Sequence, residues 1–320
     1  MSFNGFSSQP RKQNVQTQTS PYDLRAIDDV IATMGVEGLG IYRMSFHPEF
    51  DGGTSFSNLV AFTQYYLDNC PHDLILDYYH MRPNAMSEAN WVQSVERGVW
   101  LANYFDAYSD RLWLEPLNEQ KFVSSFNAKI QGFIDRLRGP GYSHRVVANV
   151  FWEPHITSQA VIDDPLDRFW GGQHIYFTQG GARVWSLEQA KDLMQDALDR
   201  GIKVFNTEIG ADSFGQQYFT EQNVGEVSEF MEWCSSHDIG NAVWVLDGVY
   251  DYPRYKKLGL VFPGGGPVAP PVEPPVEPPV VPPVVPPVAP IEYSDAYNML
   301  SHSVFFMAGL ALLKEEMDKN

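Results

Sequence analysis

Leu112-Trp113-Leu114-Glu115-Pro116-Leu117-Asn118-Glu119-Gln120 is a short apolar run that stops on polar residues. It is too brief for a helix of ordinary length and has the apolar density of a strand covered on both faces. A second run, Val204-Phe205-Asn206-Thr207-Glu208-Ile209-Gly210-Ala211, likewise leads from apolar residues to a carboxylate. A carboxylate at the end of a core strand is costly to desolvate unless it has partners. Two such ends, Glu119 and Glu208, therefore point to one shared site at one edge of a sheet.

Working outward from these runs, amphipathic stretches alternate with short apolar ones, the pattern of strand-helix units around a parallel sheet. Strands are expected at 38–46, 73–79, 112–117, 145–152, 172–177, 202–207 and 241–246, with an eighth at 2–6. Their starts lie about one strand-helix-strand step apart. Between them, Leu24, Ile27, Ile31 and Met34 share one helical face behind the Ser20-Pro21 cap. Residues 56–69 form a second helix, and Ser87 opens a third carrying Trp91, Val95 and Val99. A fourth carries Phe126, Ile130, Phe133 and Leu137 and stops at Gly139-Pro140. Ser186-Leu187-Glu188-Gln189 is a capping-box pattern for a helix that Gly201 ends, and Val227, Phe230, Met231 and Cys234 mark the next. No Gly-rich nucleotide fingerprint follows any strand, so an α/β fold of the closed (β/α)8 TIM-barrel type is expected over an open doubly wound sheet.

The proline-rich repeats of 263–290 cannot join a core and should adopt extended polyproline II. The expected division is a catalytic barrel at 1–262, this linker, and a C-terminal segment at 291–320. In that segment, residues 294–313 have the pattern of an apolar helix that docks back as the last outer helix of the barrel; a separate anchoring or oligomerising helix is the competing reading. The formal net charge of the 320 residues is -18, which disfavours nucleic acid and anionic membrane surfaces as partners and is compatible with a neutral polymer. Residues 1–21 are polar and hold no apolar stretch of secretory-signal length. The apolar stretch 304–313 is about half the ~20 residues a membrane helix needs. Cys70 and Cys234 fall in different helical patterns and suggest buried thiols. No metal-ligand spacing and no Gly-x-Ser-x-Gly elbow occurs, so no cofactor is expected.

The strand ends carry unusually polar residues: Arg43 and His47, Asp77 and His80, Asn118 and Glu119, His174 and Tyr176, Glu208, Trp244 and Asp247. In this order and spacing the chain, over 38–262, resembles the glycoside hydrolases of clan A, closest to family 5, the cellulase and mannanase family. Trp113-Leu114-Glu115-Pro116-Leu117-Asn118-Glu119 is similar to that family's acid/base motif, with Gln120 in place of the usual proline, and Glu208-Ile209-Gly210 to its nucleophile motif. Arg43, His80, His174-x-Tyr176 and Trp244 fall where the family has a strand-2 arginine, a strand-3 histidine, a strand-6 His-x-Tyr and a strand-8 tryptophan.

The resemblance implies a retaining endo-acting β-glycosidase on a β-1,4-linked polysaccharide, cellulose or another β-glucan first and β-mannan as the alternative. Action outside the cell follows from that substrate class. Glu119 would be the general acid/base and Glu208 the nucleophile. Arg43 and Tyr176 would hold Glu208 ionised, Asn118 would bond the sugar 2-hydroxyl, and His80 and His174 would bind substrate and support the acid/base. Trp244 would offer a flat face to a pyranose ring. Trp152, Trp185 and Tyr250 are candidates to extend that platform, although packing accounts for them as well. Glu115 and Asp77 are expected to buttress the site, and Glu153 is a rival carboxylate at another strand end. A carbohydrate-binding or structural protein with little turnover, attached to a larger assembly through the proline-rich segment, is the reading from another class. The sequence specifies no oligomeric state.

Overall fold

The computed structural model describes residues 4–8, 24–45, 56–77, 88–118, 126–149, 161–213, 218–244 and 252–263. All of these belong to one unit, Met1–Pro270. The proline-rich segment beyond Pro263, the expected helix at 294–313, and the caps Ser20-Pro21 and Ser87 lie outside the described residues.

Strands β1 (Asn4–Ser8), β2 (Ile41–Ser45), β3 (Asp73–Asp77), β4 (Leu112–Glu115), β5 (Arg145–Asn149), β6 (Phe169–Gln179), β8 (Val204–Asp212) and β9 (Gly240–Trp244) are all mutually parallel. Each pairs with the next, and β9 pairs back onto β1, so the sheet closes into a ring of eight. The N-terminal strand expected at 2–6 is thus the one that closes the barrel. A two-residue strand absent from the sequence reading, β7 (Ala182–Arg183), folds back antiparallel on β6. Around the ring lie α1 (Leu24–Glu37), α2 (Phe56–Asn69), α3 (Glu88–Tyr104), α4 (Phe126–Arg138), α5 (Leu187–Asp199), α6 (Glu221–Ser236) and α7 (Tyr252–Lys257). This is a (β/α)8 barrel. No helix among the described residues is long and apolar enough to cross a membrane.

Local chemistry sets several boundaries. Gly38 was expected to open a strand but instead ends α1: its φ of 67° lets Leu39 N–H reach the Met34 carbonyl at 2.9 Å. Gly201, with φ of 76°, ends α5 in the same way. The Ser186 hydroxyl accepts from Gln189 N–H while the Gln189 side chain accepts from Ser186 N–H, so the predicted capping box is present. Strands β6 and β8 run beyond the expected 172–177 and 202–207 because β7 and the pairing of Thr178 with Asp212 carry them upward.

Alternation sorts the strand residues into two layers. Outward residues such as Tyr42, Leu74, Leu114, Val146, Ile175 and Ile209 join the helices in one large apolar layer. Inward residues Ile41, Ile75, Trp113, Val147, Phe205 and Ala242, with Trp170 against them, fill the floor of the barrel. That floor is aromatic and braced by cations, with Arg145 5.1 Å above the Trp113 ring and Lys203 5.0 Å above Trp170. The next inward residues along β2, β3 and β4 are Arg43, Asp77 and Glu115, all fully buried. Above an apolar floor, the barrel therefore turns ionic.

Candidate active site

Arg43 is the centre of this ionic layer. Its Nε donates to Glu115 Oε2 at 2.5 Å and Nη2 to Glu115 Oε1 at 3.0 Å, a bidentate pairing. Nη1 donates to Glu208 Oε1 at 2.6 Å and to the Ser45 hydroxyl at 2.9 Å. Nη2 also faces Asn118 Oδ1 at 2.8 Å and Asp77 Oδ2 at 3.1 Å. Burial works to lower the pKa of this guanidinium, but Glu115, Asp77 and Glu208 outweigh it and hold the group charged. One cation thus ties together β2, β3, β4 and β8.

Glu208 reaches the interior because β8 carries a bulge. Strict alternation from the inward Phe205 would send Glu208 outward, into the apolar helix layer. Instead Gln173 pairs with Asn206 and His174 with Glu208, while β9 pairs Asn206 with Asn241 and Ile209 with Val243. Both neighbours skip a residue at Thr207, so the side-chain phase resets: Glu208 faces in and Ile209 faces out. The Tyr176 hydroxyl then donates to Glu208 Oε2, and His174 Nδ1 lies 3.4 Å from the same oxygen. Burial drives the His174 pKa down to about 4 against the pull of Glu208, with Arg43 lowering it further; the ring is neutral near pH 7.

Gly210 makes the tyrosine contact sterically feasible. It pairs with Tyr176, and a Cβ at this position would stand 2.8 Å from Tyr176 Cε1. The absent side chain lets the ring lie across β8, so the Glu-x-Gly spacing acquires a physical reason.

Of the residues singled out from sequence, Arg43, Asn118, Tyr176 and Glu208 meet in one buried constellation, with His174 beside Glu208. Glu115 and Asp77 buttress it through Arg43. Trp244 ends β9, half-buried and in register with Ser7. Trp185 packs half-buried against the outer apolar layer, which favours packing over a platform role. His47, His80, Glu119, Trp152, Glu153, Asp247 and Tyr250 lie outside the described residues.

Sequence reasoning missed Ser45 as a guanidinium acceptor. It also missed a buried polar network above Glu208. Asp212 accepts from the Thr178 hydroxyl at 2.7 Å, Gly181 N–H at 2.8 Å and Gly180 N–H at 3.1 Å. Asn223 Nδ2 faces Thr178 Oγ1 at 3.3 Å and donates to the Tyr218 carbonyl at 3.0 Å, linking the β6–β7 hairpin to the start of α6. The only advance signal was a carboxylate four residues beyond Glu208. Among the described residues, no group of three His, Cys, Asp or Glu side chains is arranged to hold a metal ion.

No family model matches the chain, and no curated protein matches it by sequence. Solved structures do match its fold. The catalytic domain of a mannanase from Streptomyces sp. SirexAA-E is 15% identical, with a TM-score of 0.56 over 76% of this chain and 75% of that one. The cellulose synthase subunit Z of Clostridioides difficile is 17% identical, with a TM-score of 0.60 over 81% of this chain and 100% of that one. A family 5 subfamily 4 broad-specificity endoglucanase from an uncultured bovine rumen ciliate is 13% identical, with a TM-score of 0.58 over 75% and 86%. The barrel is therefore built on the fold shared by the clan A mannanases and cellulases of glycoside hydrolase family 5.

Proposed function

We propose that the chain is a retaining β-glycosidase acting within a β-1,4-linked polysaccharide, with Glu208 as nucleophile and Glu119 as general acid/base. The observation that carries this reading is the setting of Glu208. A buried carboxylate in the upper interior of the barrel accepts from a guanidinium on one oxygen and from a tyrosine hydroxyl on the other. Active sites of such barrels sit at the C-terminal face of the strands.

In this mechanism Arg43 and Tyr176 hold the two oxygens of Glu208 and aim the carboxylate at the anomeric carbon. Glu119, one residue after the buried Asn118, gives its proton to the leaving glycosidic oxygen and later activates water. Asn118 Oδ1 accepts from Arg43, so the amide presents its Nδ2 edge as the donor for the sugar 2-hydroxyl, where hydrogen bonding strengthens in the oxocarbenium-like transition state. The half-buried Trp244 supplies an apolar face to the sugar ring. Support for a β-glycan substrate comes from the neighbours, which include mannanases and endoglucanases; glucan is the first candidate and mannan the alternative.

The test is incubation of wild type, Glu119→Gln and Glu208→Gln with carboxymethyl cellulose, glucomannan and xylan. Wild type should release reducing ends from one of the first two, each variant should lose activity by at least about three orders of magnitude, and proton NMR should find the product anomer retained. No release from any polymer overturns the enzyme reading, and an inverted product overturns the nucleophile role of Glu208.

A further inference from the structure

Among the described residues, the five guanidinium N–H groups of Arg43 face at least six acceptor contacts. The oversubscription falls on Nη2, whose two hydrogens meet Glu115 Oε1, Asn118 Oδ1 and Asp77 Oδ2 at 3.0, 2.8 and 3.1 Å. Among the described residues, three carboxyl groups surround this one cation, so full ionisation would set three negative charges against one positive. They are not held equally. Glu115 has the bidentate fork, and Glu208 has Nη1 at 2.6 Å plus the Tyr176 hydroxyl. Asp77 has the longest of the Nη2 contacts and a hydrogen bond from the neutral Ser45 hydroxyl, and among the described residues its buried Oδ1 has no hydrogen-bond partner. An orphaned oxygen costs far less on a neutral acid than on a carboxylate.

We propose that Asp77 stands at neutral pH as an uncharged carboxylic acid, a positioning residue that leaves the charge of Arg43 to Glu115 and Glu208. Its role in aiming Glu208 rests on the glycosidase reading; its protonation state does not. Burial pushes the Asp77 pKa well above the usual carboxylate range; Arg43 opposes the rise, Glu115 and Glu208 add to it, and a hydrogen bond from Ser45 opposes it. Among the described residues these are the charged and titratable groups that face Asp77 from β2, β4 and β8.

The consequence for folding has a definite sign. An unfolded aspartate ionises near pH 3.9, whereas the folded group keeps its proton to higher pH. Above about pH 4 the native state then binds the extra proton, and stability falls as pH rises. Asp77→Asn mimics the neutral acid and removes that penalty. Its melting temperature relative to wild type should therefore climb between pH 4 and pH 8, by about 3 °C or more. A gap moving the other way overturns the proposal, since an ionised Asp77 held by Arg43 would make the asparagine progressively worse. A flat gap overturns it too.

Infrared difference spectra of wild type with 13C-labelled aspartate carboxyls should show a protonated carboxyl band at pH 7 that Asp77→Asn lacks; its absence in wild type, or persistence in the variant, counts against Asp77. Should the variant not fold, 13C NMR of the labelled wild type decides alone. One aspartate signal must remain at its protonated position at pH 7, and complete titration of every aspartate below pH 6 overturns the assignment. None of these readouts needs turnover, so they succeed or fail independently of the polymer assays.

Discussion

The two oxygens of Glu208 have separate partners: Arg43 holds Oε1, and the Tyr176 hydroxyl donates to Oε2. A hydrogen bond to a charged group is worth about 1.5–3 kcal/mol, so Tyr176→Phe should lower kcat on the order of 10- to 100-fold with a small change in KM. Steady-state kinetics on the polymer that wild type cleaves measures this, and an equal loss confined to KM would remove Tyr176 from the chemical step. Gly210→Ala should mimic that variant without touching the hydroxyl, because a Cβ 2.8 Å from Cε1 forces the ring aside. Activity close to wild type in Gly210→Ala would mean that the tyrosine position is not critical. Arg43, Tyr176 and Glu208 were legible in the sequence because polar residues at successive strand ends have few other reasons to be there. The shortage of donors at Nη2 was not legible. It depends on which oxygens crowd one nitrogen, and that is a property of the closed ring.

At the scale of elements, the bulge at Thr207 shows why alternation locates strands better than it orients them. The 204–211 run was readable as a strand, but a period of two applied to it from Phe205 sends Glu208 to the wrong face. Nothing in Asn206-Thr207-Glu208 marks an extra residue; the pairing partners on β6 and β9 define it. The same strand then continues to Asp212, where a side chain rather than a ladder satisfies the hairpin. Gly180 and Gly181, with φ of 59° and 82°, form a two-residue turn between the Gln179–Ala182 pair, and both of their N–H groups point to Asp212. Asp212→Ala should strand these two donors, while the Thr178 hydroxyl keeps the Ala211 carbonyl at 2.8 Å, costing about 2–4 kcal/mol in urea denaturation. Hydrogen exchange should accelerate at Gly180 and Gly181 before it does in the floor of the barrel. A variant with wild-type stability would show that water replaces the carboxylate at no cost. The hairpin was illegible in advance because its Gly-Gly turn sits inside what otherwise resembles a strand-to-helix loop. The Thr220 capping box was hidden in a similar way, its N3 partner being Asn223 rather than Glu or Gln.

For the whole molecule, closure of the ring makes the interior a place where protonation is coupled to folding, and the coupling runs in two directions. His144 at the entry to β5 is fully buried and the His174 side chain in the site is 9% exposed, and loss of solvent drives each pKa down to about 4; at His144 the hydrogen bond to the Phe105 carbonyl opposes the fall. An unfolded histidine takes its proton near pH 6.5, so between that pH and about 4 the unfolded chain binds protons that the barrel refuses. Each ring thus contributes stability that is fully present above pH 6.5 and lost as pH falls toward 4, on the order of 3 kcal/mol apiece. The urea midpoint should drop across that window, and His144→Gln, which removes a titrating ring far from the site chemistry, should flatten the slope. An unchanged slope would mean that His144 protonates in the native barrel without resistance. Asp77 tilts the same window the opposite way, because its proton favours the native state as the pH falls. In Asp77→Asn the two histidines should lose that opposition, so the acid-side fall in midpoint must become steeper than in wild type. A shallower fall would require Asp77 to be ionised in the folded protein.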